Sequence, residues 1–135
     1  MKTTDPQDEI FDIVGNDDRV IGTATRKAVH KDKKMIHRAV DILVFKGKKL
    51  LIQQRSSTKD MYPNFWTVSC SGHVSSGDSY EETARRELRE ELGIITEKLD
   101  FITKTIIDYP NETEYVSYYR ITAVSYTHLF AQDEV

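Results

Sequence analysis

Glu87, Glu90 and Glu91 stand at i, i+3 and i+4, so on a helix turning about 100° per residue they project from one side. Three carboxylates sharing a patch raise one another's pKa and weaken the helix unless positive charge neutralises them. Arg85, Arg86 and Arg89 can supply that charge if the stretch is an ordinary solvated face. A bound cation is the other way to neutralise it, and ligands made only of oxygen suit a hard ion, Mg²⁺ or Mn²⁺. Ala84, Leu88 and Leu92 form an apolar stripe on the opposite side that would seat the helix on a core. Asp78 or Ser79 can cap its start, with Glu81 or Glu82 completing a capping box, and Gly93 can end it.

A second set of residues lies outside this helix. His30 and His37 flank a lysine-rich stretch, His73 follows Gly72, and Glu112 and Glu114 alternate along a strand, sharing one face. A lone histidine is more often a hydrogen-bonded structural residue than a ligand. These five side chains form a site only if the fold gathers them.

The elements that must do so can be read in order. Glu9–Val14 and Arg19–Thr23 are short apolar runs around Gly15-Asn16-Asp17-Asp18, the composition of a hairpin turn. Residues 24–31 read as a brief helix. Ala39–Phe45 and Leu50–Arg55 read as two strands across Lys46-Gly47-Lys48-Lys49, and this pair is expected to be the central sheet. A polar loop over 56–64 leads into a strand, Phe65–Cys70, that runs into Gly72. Past the helix, Leu99–Ile107 and Glu114–Val124 read as strands joined by a turn at Tyr109-Pro110-Asn111-Glu112. The uneven aromatics of the last strand, Tyr115, Tyr118 and Tyr119, suit core packing.

Residues 72–94 resemble the Nudix box: Gly, five residues, Glu, seven residues, then Arg-Glu-aliphatic-x-Glu-Glu-x-Gly-aliphatic. Gly72, Arg86, Glu87, Leu88, Glu90, Glu91, Gly93 and Ile94 fall in register, and Asp78 replaces the first Glu with a carboxylate one methylene shorter. The region from about Phe11 to Glu114 is similar to the type I isopentenyl diphosphate isomerases of the same superfamily. That resemblance implies that His30, His37, His73, Glu112 and Glu114 hold a divalent metal. It also implies that Arg55 and Lys59 grip a diphosphate, with Arg26 as a third positive charge; guanidinium forks and ammonium groups suit phosphate oxygens. Two features separate this chain from the isomerases. Ser71 stands where they carry a catalytic cysteine, and Cys70, one residue earlier, would face the other side of the strand. The box core Arg86–Glu91, from which the isomerases depart, is whole.

The resemblance implies an α/β (α+β) fold, an α/β/α sandwich around a mixed sheet. Residues 1–135 are expected to form a single domain whose closing strand and helix are missing at the C-terminus. The length of 135 residues suits one core and is too short for two ordinary ones. A net charge of −3 offers no basic field for nucleic acid. A single cysteine precludes an internal disulfide, and no apolar run approaches a membrane span. The expected protein is cytoplasmic, with a small-molecule partner. The expected activity is Mg²⁺-dependent (or Mn²⁺-dependent) hydrolysis of a small organic, nucleotide-like diphosphate. Glu87, Glu90 and Glu91 would be metal ligands, Glu91, Glu112 and Glu114 the catalytic carboxylates, and Arg26, Arg55 and Lys59 the substrate contacts. Isopentenyl diphosphate isomerisation and a silent nucleotide-sensing domain are the alternatives.

Overall fold

One long strand organises the chain because its alternation serves two cores at once. In the computed structural model, which describes residues 5–122, β3 (Ile36–Lys46) turns Val40, Ile42 and Val44 to one face and His37, Ala39 and Asp41 to the other. The first face is covered by α2 (Tyr80–Leu92), whose Ala84, Leu88 and Leu92 meet Val40, Ile42 and Val44 in the main core. The second carries a smaller core of Phe11, Ile13 and Val29.

β1 (Ile10–Val14) and β2 (Val20–Thr25) form the expected antiparallel hairpin, and β1 passes two positions of pairing to the start of β3. The brief helix is α1 (Arg26–Val29), capped by Thr25, whose hydroxyl accepts from the Ala28 N–H at 3.2 Å. β8 (Asp100–Asp108) and β9 (Thr113–Thr122) close the other side of the sheet. β9 lies parallel to β3 from His37↔Glu114 to Phe45↔Thr122, so the sheet is mixed. Tyr119 and Val116 of β9 are buried, as expected of that strand.

The central sheet differs from the expected one. β3 is central, but its main partners are β9 and β7 (Cys70–His73), not the strand that follows it. β4 (Lys49–Leu50) pairs with β3 at only two positions, and β5 (Ile52–Gln54) leaves to pair with β6 (Trp66–Val68) in a separate two-stranded sheet. The cause is the buried Ser69. The Leu51 N–H still donates to the Val44 carbonyl at 3.0 Å, but Ser69 accepts the Val44 N–H at 2.8 Å and donates to the Leu51 carbonyl at 2.6 Å, replacing the return backbone bond. The same residue divides the expected Phe65–Cys70 strand into β6 and β7.

On the second sheet face the helix among the described residues is the short α1, whose Val29 packs with Phe11 and Ile13, and the expectation that a closing strand and helix are missing at the C-terminus concerns residues outside those described. Among the described residues no helix is long and apolar enough to cross a membrane.

Candidate active site

The α2 carboxylates are placed by both ends of the helix. Ser79, not Asp78, is the N-cap, its hydroxyl accepting the Glu82 N–H at 3.0 Å. Gly93 ends the helix at φ 66°, its N–H returning to the Arg89 carbonyl and that of Ile94 to Leu88. Asp78 pairs instead with Arg86 at 3.0 Å, and Arg86 leans toward Glu87 at 3.9 Å. Glycine at position 72 leaves room for Glu87 as it lies here, since a Cβ would stand 2.6 Å from that side chain and push it aside. Glu87 is therefore seated directly on the β7 backbone, and Glu91 takes a backbone hydrogen bond from Ser71.

Glu87 is pushed up to about 7, first by burial and then by the charges of Glu91 and Glu90. Glu91 is also raised, chiefly by burial. An acid pair pressed together against a strand, with Glu90 exposed beside it, is the electrostatic situation a divalent cation relieves. Cys70 donates to Glu91 Oε2 at 3.0 Å from the α2 side of β7, and burial, with the Glu91 charge, drives its thiol well above the usual range. Ser71, one residue on, lines the cavity.

The histidine set does converge. β3 brings His37, β7 brings His73 opposite Ala39, the end of α1 brings His30, and β9 with its preceding turn brings Glu114 and Glu112. One ligand atom from each of His30, His37, His73 and Glu112 lies within 4.8 Å of the others. Glu112 Oε1 is 3.3 Å from His30 Nε2 and 3.2 Å from His37 Nε2, while Glu114 Oε2 is 3.0 Å from His73 Nε2. Yet His30 Nε2, His37 Nε2 and Glu112 Oε1 are buried without an aligned hydrogen-bond partner among the described residues. Close atoms that point at a common centre rather than at one another are what a metal set looks like, so the donor set fits a divalent ion. Outer contacts fix the rings: Asp60 holds His30 Nδ1 at 3.1 Å, and Phe11 stacks on His37 at 5.4 Å. Burial alone would depress the His73 pKa, but the neighbouring Glu112 and Glu114 carboxylates take it up to about 9. Burial would raise Glu112 and Glu114, and their histidine contacts hold both below the usual carboxylate range.

The α2 carboxylates and, from the histidine set, His73, Glu112 and Glu114 line one cavity of about 650 Å³, which also receives Arg55, Lys59 and Arg26. Lys59 is held by Asp5 at 3.3 Å, and Arg55 uses Nε on the Met61 carbonyl at 3.0 Å. Arg26 differs from Arg55 and Lys59 in being buried and already matched, by Glu9 at 2.9 Å and Asp60 at 3.6 Å. The cavity wall also includes Asp41, which sequence reasoning missed. It faces Ser71 and Tyr118 across neighbouring strands. Burial, then the Glu114 charge, pushes it up to about 7. A lone acid inside the apolar run Ala39–Phe45 was the available signal.

A model of the NUDIX domain matches residues 35–135. Isopentenyl-diphosphate Delta-isomerase 2 of Photorhabdus laumondii is 44% identical over 87 residues, 64% of this chain and 49% of that protein. An uncharacterised Nudix hydrolase of Clostridium acetobutylicum is 41% identical over 105 residues, 75% of this chain and 50% of that one. The chain spans about half the length of these curated relatives. The crystal structure of DR0079 from Deinococcus radiodurans superposes with a TM-score of 0.66 at 30% identity, covering 86% of this chain and 74% of the other. With its box, its mixed sheet and these relatives together, the chain belongs to the NUDIX domain family.

Proposed function

We propose that this protein is a cytoplasmic, divalent-metal-dependent hydrolase of a small organic diphosphate. The observation that carries the reading is the shared cavity: Glu87, Glu90 and Glu91 face it together with Arg55 and Lys59, while the only thiol is turned away into the core. Glu87, Glu90 and Glu91 would hold Mg²⁺ or Mn²⁺, which supplies charge neutralisation at the diphosphate and a more acidic water.

The chain's own groups divide the remaining work. Lys59 offers a point charge, and Arg55 offers Nη groups that make no hydrogen bond among the described residues. Arg26 acts through the wall, holding Glu9 and Asp60 in place. Of the further carboxyls on the cavity wall, Glu9 is paired with Arg26 and Asp5 with Lys59, which leaves Asp41, Glu112 and Glu114. Glu112 and Glu114 are engaged by imidazoles and weakened as bases, so they go with the histidines as ligands of a second ion. We assign proton acceptance to Asp41, whose affinity near neutrality suits a general base. Glu91 remains a ligand whose charge the reaction requires.

The gathered His30, His37, His73 and Glu112 favour a second reading, isomerisation of isopentenyl diphosphate. The isomerase needs an acid beside the five-carbon alkene, and Ser71 is a very weak one. Incubation with Mg²⁺ and a panel of nucleoside, sugar and isoprenoid diphosphates separates the readings when phosphate release and isomer formation are both followed. Hydrolysis of at least one diphosphate, abolished by Glu87→Gln, is expected. Isomer formation at an enzymatic rate without phosphate release would overturn the assignment, and binding without turnover would indicate a sensing domain.

A further inference from the structure

Lys59, the ammonium assigned to the diphosphate, already holds an anion that the chain itself supplies. The Asp5 carboxylate accepts from Lys59 Nζ through Oδ1 at 3.3 Å and from the Asp60 N–H through Oδ2 at 2.8 Å. The Asp5 side chain is 8% exposed and that of Lys59 is 43% exposed, and both line the cavity. An ammonium and a backbone N–H converging on one anionic group is an arrangement that also suits a phosphate oxygen. Asp60 in turn holds His30 Nδ1 at 3.1 Å, so this contact lies one residue from the histidine set.

The segment that delivers Asp5 is fastened unequally along its length. From Gln7 onward its backbone is tied down: the Lys27 N–H donates to the Gln7 carbonyl at 3.1 Å and the Arg26 N–H to the Glu9 carbonyl at 2.8 Å. The Glu9 carboxylate is held as well, by Arg26 at 2.9 Å and Ser75 at 2.8 Å. Asp5 lies beyond the exposed Pro6 and reaches the loop through its carboxylate. Gln7 Nε2 steadies it, donating to the Asp5 carbonyl at 3.0 Å and to Asp60 Oδ2 at 3.2 Å.

We propose that Lys59 Nζ and the Asp60 N–H together seat the terminal phosphate of the substrate, and that the Asp5 carboxylate is an internal competitor that fills this seat until a diphosphate displaces it. The inference rests on the diphosphate reading above and adds to it a main-chain donor and a built-in occupant. A terminal phosphate carries about −1.5 to −2 charges near neutrality and three strong acceptor oxygens, so it is a better partner than a carboxylate for one ammonium and one N–H. A ligand with a single negative charge has no such advantage, and Asp5, tethered beside the seat at high effective concentration, keeps it out. When a diphosphate enters, Asp5 swings away about Pro6 while Gln7 and Glu9 keep their backbone bonds.

Trp66 lines the same cavity and is the only tryptophan, so its fluorescence follows the titration of the whole protein with inorganic pyrophosphate and Mg²⁺. Asp5→Asn keeps an oxygen for the Asp60 N–H and removes the charge. It is expected to bind pyrophosphate about fivefold more tightly than wild type, the scale of one ion pair that binding no longer has to break. Lys59→Met is expected to weaken binding, and in that background Asp5→Asn gains nothing. Asp8→Asn removes an exposed charge from the same segment and is expected to match wild type at about 0.15 M salt. An Asp5→Asn affinity equal to or below wild type overturns the competitor while the Lys59 grip stands, as does a gain that survives Lys59→Met or that Asp8→Asn reproduces. Hydrogen exchange tests the same step in the wild type: residues 5–9 are expected to exchange faster at saturating pyrophosphate, and unchanged or slower exchange would mean that the carboxylate stays in place. If wild type and Asp5→Asn both fail to bind pyrophosphate, the diphosphate reading falls too.

Discussion

The α2 carboxylates and the histidine set meet at one cavity, the second through His73, Glu112 and Glu114, and are built on opposite principles. Glu87, Glu90 and Glu91 come from a single turn of one helix and repel one another, so without a cation the site is electrostatically unbalanced. His30, His37, His73, Glu112 and Glu114 come from separate parts of the chain and mix acids with bases, so that the imidazoles hold Glu112 and Glu114 below the usual carboxylate range. The first set costs stability when empty and is suited to a cation that comes and goes with substrate. The second is buried and already satisfied in charge, and is as much part of the core as of the site. Charge removal should therefore harm function in the first and folding in the second.

Glu91→Gln tests the first half. It keeps shape and removes one negative charge, so turnover is expected to fall about 100-fold, the scale of losing one preorganised electrostatic contact. The melting temperature is expected to hold or rise, because a repulsion is lost. Wild-type turnover at low Mg²⁺ would show that the helix face is only a solvated one. His37→Ala tests the second half. It removes a fully buried ring stacked on Phe11 beside Glu112 and Glu114 and is expected to lower stability by about 3 kcal/mol, the scale of truncating a large buried side chain. An unchanged urea midpoint would mean that the histidine set is no part of the core.

The contrast also explains what could be read from the sequence. Glu87, Glu90 and Glu91 share a face by local periodicity, and Ala84, Leu88 and Leu92 mark its reverse, so this helix was legible without a fold. The gathering of five distant ligands was not, because it depends on β3 lying parallel to β9 and antiparallel to β7; only the resemblance suggested it. The wrong partner for β3 came from weighing the Lys46–Lys49 turn and overlooking Ser69, one hydroxyl that two backbones share. Asp41 was missed for a related reason: its strand is ordinary in pattern, and what it faces is decided by pairing across the chain.

A pH series sharpens the comparison further. Glu87 has a folded value of about 7 in the metal-free protein and an ordinary value of 4.5 unfolded, so the native state keeps a proton that the unfolded chain releases in between. Metal-free stability from this group is present below about pH 4.5 and is lost as pH rises through 7. Added Mg²⁺ favours the ionised acids, so its stabilising effect, read as a shift in melting temperature, is expected to grow from pH 5 to pH 8. Glu87→Gln should flatten the metal-free trend. A Mg²⁺ shift independent of pH would place the cation elsewhere.

The smallest effect is expected at Asp78, the one position that departs from the box. Ser79 caps the helix, so Asp78 has no cap to lose. Its carboxylate instead holds Arg86 in a partly exposed pair, a type of contact worth about 0.2–1 kcal/mol. Asp78→Asn retains an oxygen that Arg86 can donate to and removes only the charge. Arg86, less firmly held, is then freer to lean on Glu87, where it competes with a cation. The expected result is an unchanged urea midpoint within error, turnover at saturating Mg²⁺ like wild type, and a modest rise in the Mg²⁺ needed for half-maximal rate. A large loss of turnover that Mg²⁺ fails to restore, at constant stability, would show that the shorter Asp78 carboxylate reaches the metal itself, making the acidic set a group of four rather than three.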